Sequence, residues 1–139
     1  MNNLFKRIVE QHSSDIALKF GNQSATYHEL DLISDKIAQL IIDCGLSPKE
    51  CPFIGLYSSR TLYTIPMMLG MWKAGFAYVP MDPKFSSERI DYILDDCKLQ
   101  LILTDCVAPT ADYPLTHWMT INESVLNDVH PTSICAEHL

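Results

Sequence analysis

Ser58-Ser59-Arg60 stands immediately after the apolar run Phe53-Ile54-Gly55-Leu56-Tyr57. Two hydroxyls and a guanidinium at a strand end can hold an anion, and the same residues serve equally as helix caps and a surface charge. Asp95 and Asp96 are neighbouring carboxylates, but adjacent helical residues point in different directions, so a solvated face is expected there and not a shared acid–base pair. The five histidines (His12, His28, His117, His130, His138) form no H-x-x-x-H pair and accompany no nucleophile signature. Cys44, Cys51, Cys97, Cys106 and Cys135 are odd in number and lack C-x-x-C spacing, so reduced thiols are expected. Cys44 and Cys51 with Cys97 or Cys106 would make a zinc site only if ligands came in close pairs, and they do not. Gly21, Gly45, Gly55, Gly70 and Gly75 are scattered, with neither G-x-G-x-x-G nor G-x-x-x-x-G-K-[ST] to cradle a phosphate. Met67, Met68, Met71 and Trp72 recur at helical spacing, as core residues do. No catalytic, cofactor-binding or metal-binding residue is assigned from these patterns.

The composition narrows the partners. With 139 residues and 47% hydrophobic content, the chain has the size of one globular domain. Its 10 Lys+Arg against 17 Asp+Glu leave a net charge of -7. Displacing counterions from a phosphate backbone needs clustered cations, so no nucleic acid partner is expected. Apolar stretches such as 65–72 fall far short of the ~20 residues of a membrane helix, and the first residues lack a secretory apolar region. A cytoplasmic protein is expected, with no membrane partner.

The elements follow from periodicity. Ile16-Ala17-Leu18-Lys19-Phe20, a Gly21-Asn22 turn and Gln23-Ser24-Ala25-Thr26 predict a β-hairpin. Thr26 and Glu29 have capping-box spacing, and Leu30, Ile33, Ile37, Leu40 and Ile41 continue at helical spacing to Gly45, predicting a helix over 27–43. Residues 53–57 predict a strand covered on both faces. Pro66 costs ~3 kcal/mol inside a helix but little in its first turn, so 62–74 is either a helix starting near Thr64 or one kinked at Pro66. Gly75 ends it, and 76–81 reads as a further buried strand stopped by Asp82-Pro83. Ser86 or Ser87 caps a helix over 88–96, and 99–104 is a third buried strand. From Asp105 the pattern weakens among Pro109, Pro114 and Pro131, with 118–121 the candidate short strand. Strands alternating with helices give the α/β class: a parallel sheet with helices on both faces, preceded by a β-hairpin.

Two stretches go beyond generic α/β patterning: Ala25-Thr26-Tyr27-His28-Glu29-Leu30 and Trp72-Lys73-Ala74-Gly75-Phe76-Ala77-Tyr78-Val79-Pro80-Met81-Asp82-Pro83. They resemble the first two core motifs of amino-acid adenylation domains of non-ribosomal peptide synthetases, within the AMP-binding, acyl-adenylate-forming enzymes. Ser87-Glu88-Arg89-Ile90-Asp91-Tyr92-Ile93-Leu94 and Leu101-Ile102-Leu103-Thr104 resemble the stretch that follows, and Arg60 falls where that family often has arginine. The match is closest over 14–105 and weaker over 106–139.

The resemblance implies a partial subdomain of the adenylate-forming fold, with 1–139 as a truncated N-terminal part. Intact relatives use ATP and Mg to form an aminoacyl-adenylate and load a phosphopantetheinyl carrier protein. Their phosphate loop, specificity pocket and catalytic lysine lie further along than this sequence runs. No family site residue therefore carries over, and the segment alone is expected to be inactive and to hold no cofactor. The alternatives are a non-catalytic interaction module or one half of a split adenylating enzyme. Expected partners are the remainder of an adenylation domain, a carrier protein or a second copy.

Overall fold

The computed structural model describes residues 2–106 and 116–127. Helix α1 (Asn2–His12) precedes the hairpin of β1 (Ile16–Phe20) and β2 (Gln23–Thr26), which pair antiparallel through Leu18–Ala25, Lys19–Ser24 and Phe20–Gln23. The turn falls on Gly21-Asn22, with Gly21 at φ 58°, a left-handed conformation that a β-carbon disfavours. Helix α2 (Tyr27–Asp43) begins with the expected capping box. The Glu29 N–H donates to Thr26 Oγ1 and the Thr26 N–H to Glu29 Oε1, both at 3.1 Å.

Strands β3 (Phe53–Tyr57), β4 (Ala77–Met81), β5 (Leu101–Thr104) and β6 (His117–Thr120) form a second sheet in the order β4-β3-β5-β6, every pair parallel. Helix α3 (Thr64–Lys73) joins β3 to β4, α4 (Ser87–Cys97) joins β4 to β5, and a short α5 (Glu123–Asn127) follows β6. Alternate strand residues face opposite sides. Ile54, Leu56, Leu101 and Leu103 pack with Ile37 and Ile41 of α2 and Met67 and Met71 of α3. Tyr57 and Ile102 face the other way, with Ile90 and Leu94 of α4. Helices thus cover both faces, as the alternating pattern predicts.

Differences from expectation have local causes. The 76–81 segment is not a buried strand: Ala77, Tyr78 and Pro80 are exposed, and only Met81 of β4 is buried. β4 lies at the end of the strand order, and Pro80, which has no N–H to donate, fits only an edge. The Ala77 N–H donates inward to the Pro52 carbonyl. By strand alternation the N–H positions of residues 78 and 80 face outward, and the second is missing. Pro66 needs no kink, because α3 starts at Thr64 and the proline sits in the first turn, where N–H groups have no helical acceptor. Ser86, not Ser87, caps α4 by accepting from the Arg89 N–H at 3.2 Å. Helix α1 and the Asn122-capped α5 are additions to the expected set.

The joint between α2 and α3 is tight and charged. A β-carbon on Gly70 would lie 2.6 Å from Ile37 Cγ2, so the backbones approach where only glycine fits. Beside this contact Lys73, 3% exposed, points into α2. Its Nζ donates to Asp31 Oδ1 at 2.7 Å, Ser34 Oγ at 2.8 Å and Asp35 Oδ1 at 2.8 Å. The same ammonium lies 5.2 Å from the Phe5 ring centroid, which ties α1 to the joint.

Candidate functional site

In an open parallel sheet, ligands enter at the carboxyl ends of the strands, where the connections diverge to opposite sides. Here the chain leaves β3 towards β4 on one side and returns to β5 on the other, so the crevice lies between Ser58 and Asp105. A side chain of the protein itself fills it. Asp105 accepts from Ser58 Oγ at 2.8 Å, from the Ser59 N–H at 3.1 Å and from the Thr61 hydroxyl. The Thr64 hydroxyl lies 3.4 Å from the same carboxylate and 2.7 Å from Ser58 Oγ.

The Ser58-Ser59-Arg60 segment therefore does not cap α3, whose N-terminus has no side-chain cap bond, and its Ser58 hydroxyl is already engaged with Thr64 and Asp105. The Ser58 hydroxyl and the Ser59 N–H both donate to an internal carboxylate. Arg60 is held left-handed at φ 63°, an uncommon conformation for a residue with a side chain, and its N–H donates to Ser58 Oγ at 3.2 Å. The arrangement locks the β3–α3 turn to the end of β5. It does not fit a nucleoside triphosphate, because a phosphate brought there would meet a carboxylate whose neighbouring donors are already engaged.

Below this lock, the Tyr57 and Trp118 rings pack edge to face with centroids 5.3 Å apart. Burial, followed by the nearby Cys106 and Asp82, pushes the Tyr57 phenol up from its ordinary value. The Cys106 thiol is likewise raised, chiefly by burial, with Thr104 acting in the opposite direction. A thiol that resists ionisation is a poor nucleophile, so the strand ends offer no activated cysteine.

The other candidates stay apart. Asp95 and Asp96 are both exposed on α4. Cys44 is exposed, Cys51 buried, and Cys97 and Cys106 half-buried, all as free thiols; Cys135 lies outside the described residues. Among the described residues no group of three His, Cys, Asp or Glu side chains could hold a metal. His12 bonds Asp15 at 2.8 Å on the surface, His28 and His117 are exposed, and His130 and His138 fall outside the described residues. Met67 and Met71 are core, as their spacing implied, whereas Trp72 is 41% exposed. Asp105 and Lys73 are the consequential polar residues, and local patterning singled out neither. The available signal for Asp105 was a carboxylate placed directly after a buried strand.

The sequence profile described as "AMP-binding enzyme" matches residues 5–136. The chain belongs to the AMP-binding enzyme family. Surfactin synthase subunit 2 of Bacillus subtilis (strain 168) is 36% identical over 103 residues, 74% of this chain and 3% of that protein. Tyrocidine synthase 3 of Brevibacillus parabrevis is 36% identical over 101 residues, 73% of this chain and 2% of that protein. The chain thus spans a few per cent of these curated relatives. The N-terminal subdomain of Klebsiella oxytoca NpsA superposes with TM-score 0.79 at 17% identity, covering 94% of this chain and 33% of that one. NpsA in complex with 3-hydroxyanthranilyl-AMSN gives TM-score 0.78 at 18% identity, covering 92% and 25%.

This AMP-binding chain therefore matches the N-terminal portion of peptide-synthetase adenylation domains, as its two motifs indicated. Its α/β sheet and hairpin belong to the N-terminal subdomain of that fold. No helix among the described residues is long and apolar enough to cross a membrane.

Proposed function

We propose that this chain supplies the N-terminal scaffold of an adenylation domain that activates an amino acid with ATP, and that this stretch alone forms no adenylate. The observation that carries the second part is the closed crevice: Asp105 and its hydroxyl partners occupy the strand ends where an α/β sheet would take a nucleotide. The sequence adds no glycine-rich phosphate loop elsewhere. ATP, Mg, the amino acid and the carrier-protein thiol are then handled by segments further along such a domain, and no residue here is assigned to them. The location proposed is the cytoplasm, which suits an odd set of cysteines without close pairs.

The test is ATP–pyrophosphate exchange with each proteinogenic amino acid. The purified chain is expected to give none. Grafted in place of the matched stretch of an adenylation domain of surfactin synthase subunit 2, it is expected to support exchange. Clear exchange by the chain alone overturns the inactive-scaffold part. A second reading, that the chain works by binding another polypeptide, is favoured by an uncovered apolar groove beside α3. In its split-enzyme form, exchange appears when the remainder of the domain is supplied as a separate chain.

A further inference from the structure

Helix α3 is apolar almost all the way round. One side carries Met67, Gly70 and Met71 into the core, and its single charged residue, Lys73, is buried against α2. The other side carries Ile65, Met68, Leu69 and Trp72, which with Phe76 and Tyr78 line a groove of about 680 Å³ along edge strand β4. No charged side chain lines it. Ile65, Trp72 and Tyr78 are 39%, 41% and 42% exposed. The solvent-facing helix on the opposite side of the sheet differs: α4 sets Glu88, Asp91, Asp95 and Asp96 in solvent. A helix that is hydrophobic on every side is characteristic of burial, and contiguous exposed apolar patches mark interaction surfaces.

Resting on the scaffold reading above, we infer that this groove is the seat of the remainder of the adenylation domain, which covers it with an uncharged, apolar side-chain face. The length of the related subdomain supports that occupant, because the matched part is only 33% of the NpsA N-terminal subdomain. The remaining two thirds must pack on something, and here the apolar surface is already shaped. The cover lies on the groove through side chains and does not extend β4 as a fifth strand. The outer edge of β4 lacks one N–H at Pro80, which weakens a backbone ladder there.

The experiment uses the graft into the surfactin synthase adenylation domain, with Trp72→Ser compared against Tyr92→Ser. Tyr92 lies on α4 and is 69% exposed against 41% for Trp72, so the burial Trp72 already has predicts the larger cost of the two, and Trp72→Ser is therefore also made in the isolated chain as the reference. If the groove is covered, Trp72→Ser lowers the melting temperature of the graft by about 5 °C or more, and by more than it lowers that of the isolated chain, as loss of a newly buried aromatic does. Tyr92→Ser leaves it within about 1 °C, the scale of ordinary surface changes. A fall in the graft no larger than that in the isolated chain, or no effect of Trp72→Ser in a folded and active graft, overturns the inference while the scaffold reading stands. In that case, a dimer of the isolated chain that Trp72→Ser dissociates would assign the groove to a second copy. A graft that does not fold even with Trp72 intact overturns both.

Discussion

Asp105 and Lys73 are both charged groups committed to holding backbone segments together. Each gathers partners from distant sequence: Ser58 lies 47 residues from Asp105, and Asp31 lies 42 from Lys73. That separation explains why neither stood out in the sequence, where a charge near a strand or helix end reads as solvated. The capping box of Thr26 and Glu29 was legible because its partners are three residues apart. Hydrogen bonds to a charged group contribute about 1.5–3 kcal/mol, so Asp105→Asn, which removes the charge and turns a donor towards the hydroxyls, is expected to cost about 2 kcal/mol. Urea unfolding checks this. A cost near zero would mean that the strand-end lock does not operate in solution and that Ser58 and Thr61 are free for another role.

Among elements, the pairing of α2 with α3 organises the molecule. Its closest point is Gly70, where an added methyl group meets Ile37 Cγ2 at 2.6 Å and Ile37 Cβ at 2.8 Å. Helix propensity alone favours Gly70→Ala by up to ~1 kcal/mol, but overpacking at such a contact costs ~1–3 kcal/mol. The net expectation is destabilisation, relieved in part by a simultaneous Ile37→Ala. The double-mutant cycle, read by chemical denaturation, should therefore show coupling well outside additivity. Helices and strands from 16 to 104 could be read from spacing because burial imposes periodicity on them. The exposure of β4 could not, since strand order is not a local property; Pro80 was its one local sign. Helix α1 left a trace in Leu4, Phe5, Ile8 and Val9, whose spacing is helical. Its docking depends on Phe5 meeting Lys73, and nothing near residue 5 announces that.

For the molecule as a whole, titration provides a check on burial. Burial is the first cause raising the thiols of Cys97 and Cys106, both half-buried, and the phenols of Tyr57 and Tyr63. The folded chain therefore keeps these protons at pH values where the unfolded chain releases them. Because the unfolded state then binds fewer protons, stability falls as pH rises past the ordinary thiol value of 9.0, and this contribution is fully present below it. Urea midpoints between pH 7 and 10 should decline at the alkaline end, and substituting serine for Cys97 and Cys106 should flatten the early part of that decline. A flat profile in the unsubstituted chain would mean that the thiols are solvated. The sheet's family could be read from two short motifs, whereas the closure of its strand ends required three dimensions. Pro80 also has a consequence in time. Ribosomes deliver the chain from its N-terminus at ~5–20 residues per second, so edge strand β4 stands exposed while β5 and β6 are still to be made. An edge with a missing donor gives another nascent chain on the same messenger less to pair with during that wait. Pro80→Thr is accordingly expected to leave purified protein folded while raising the insoluble fraction during synthesis, and an unchanged fraction would count against this role.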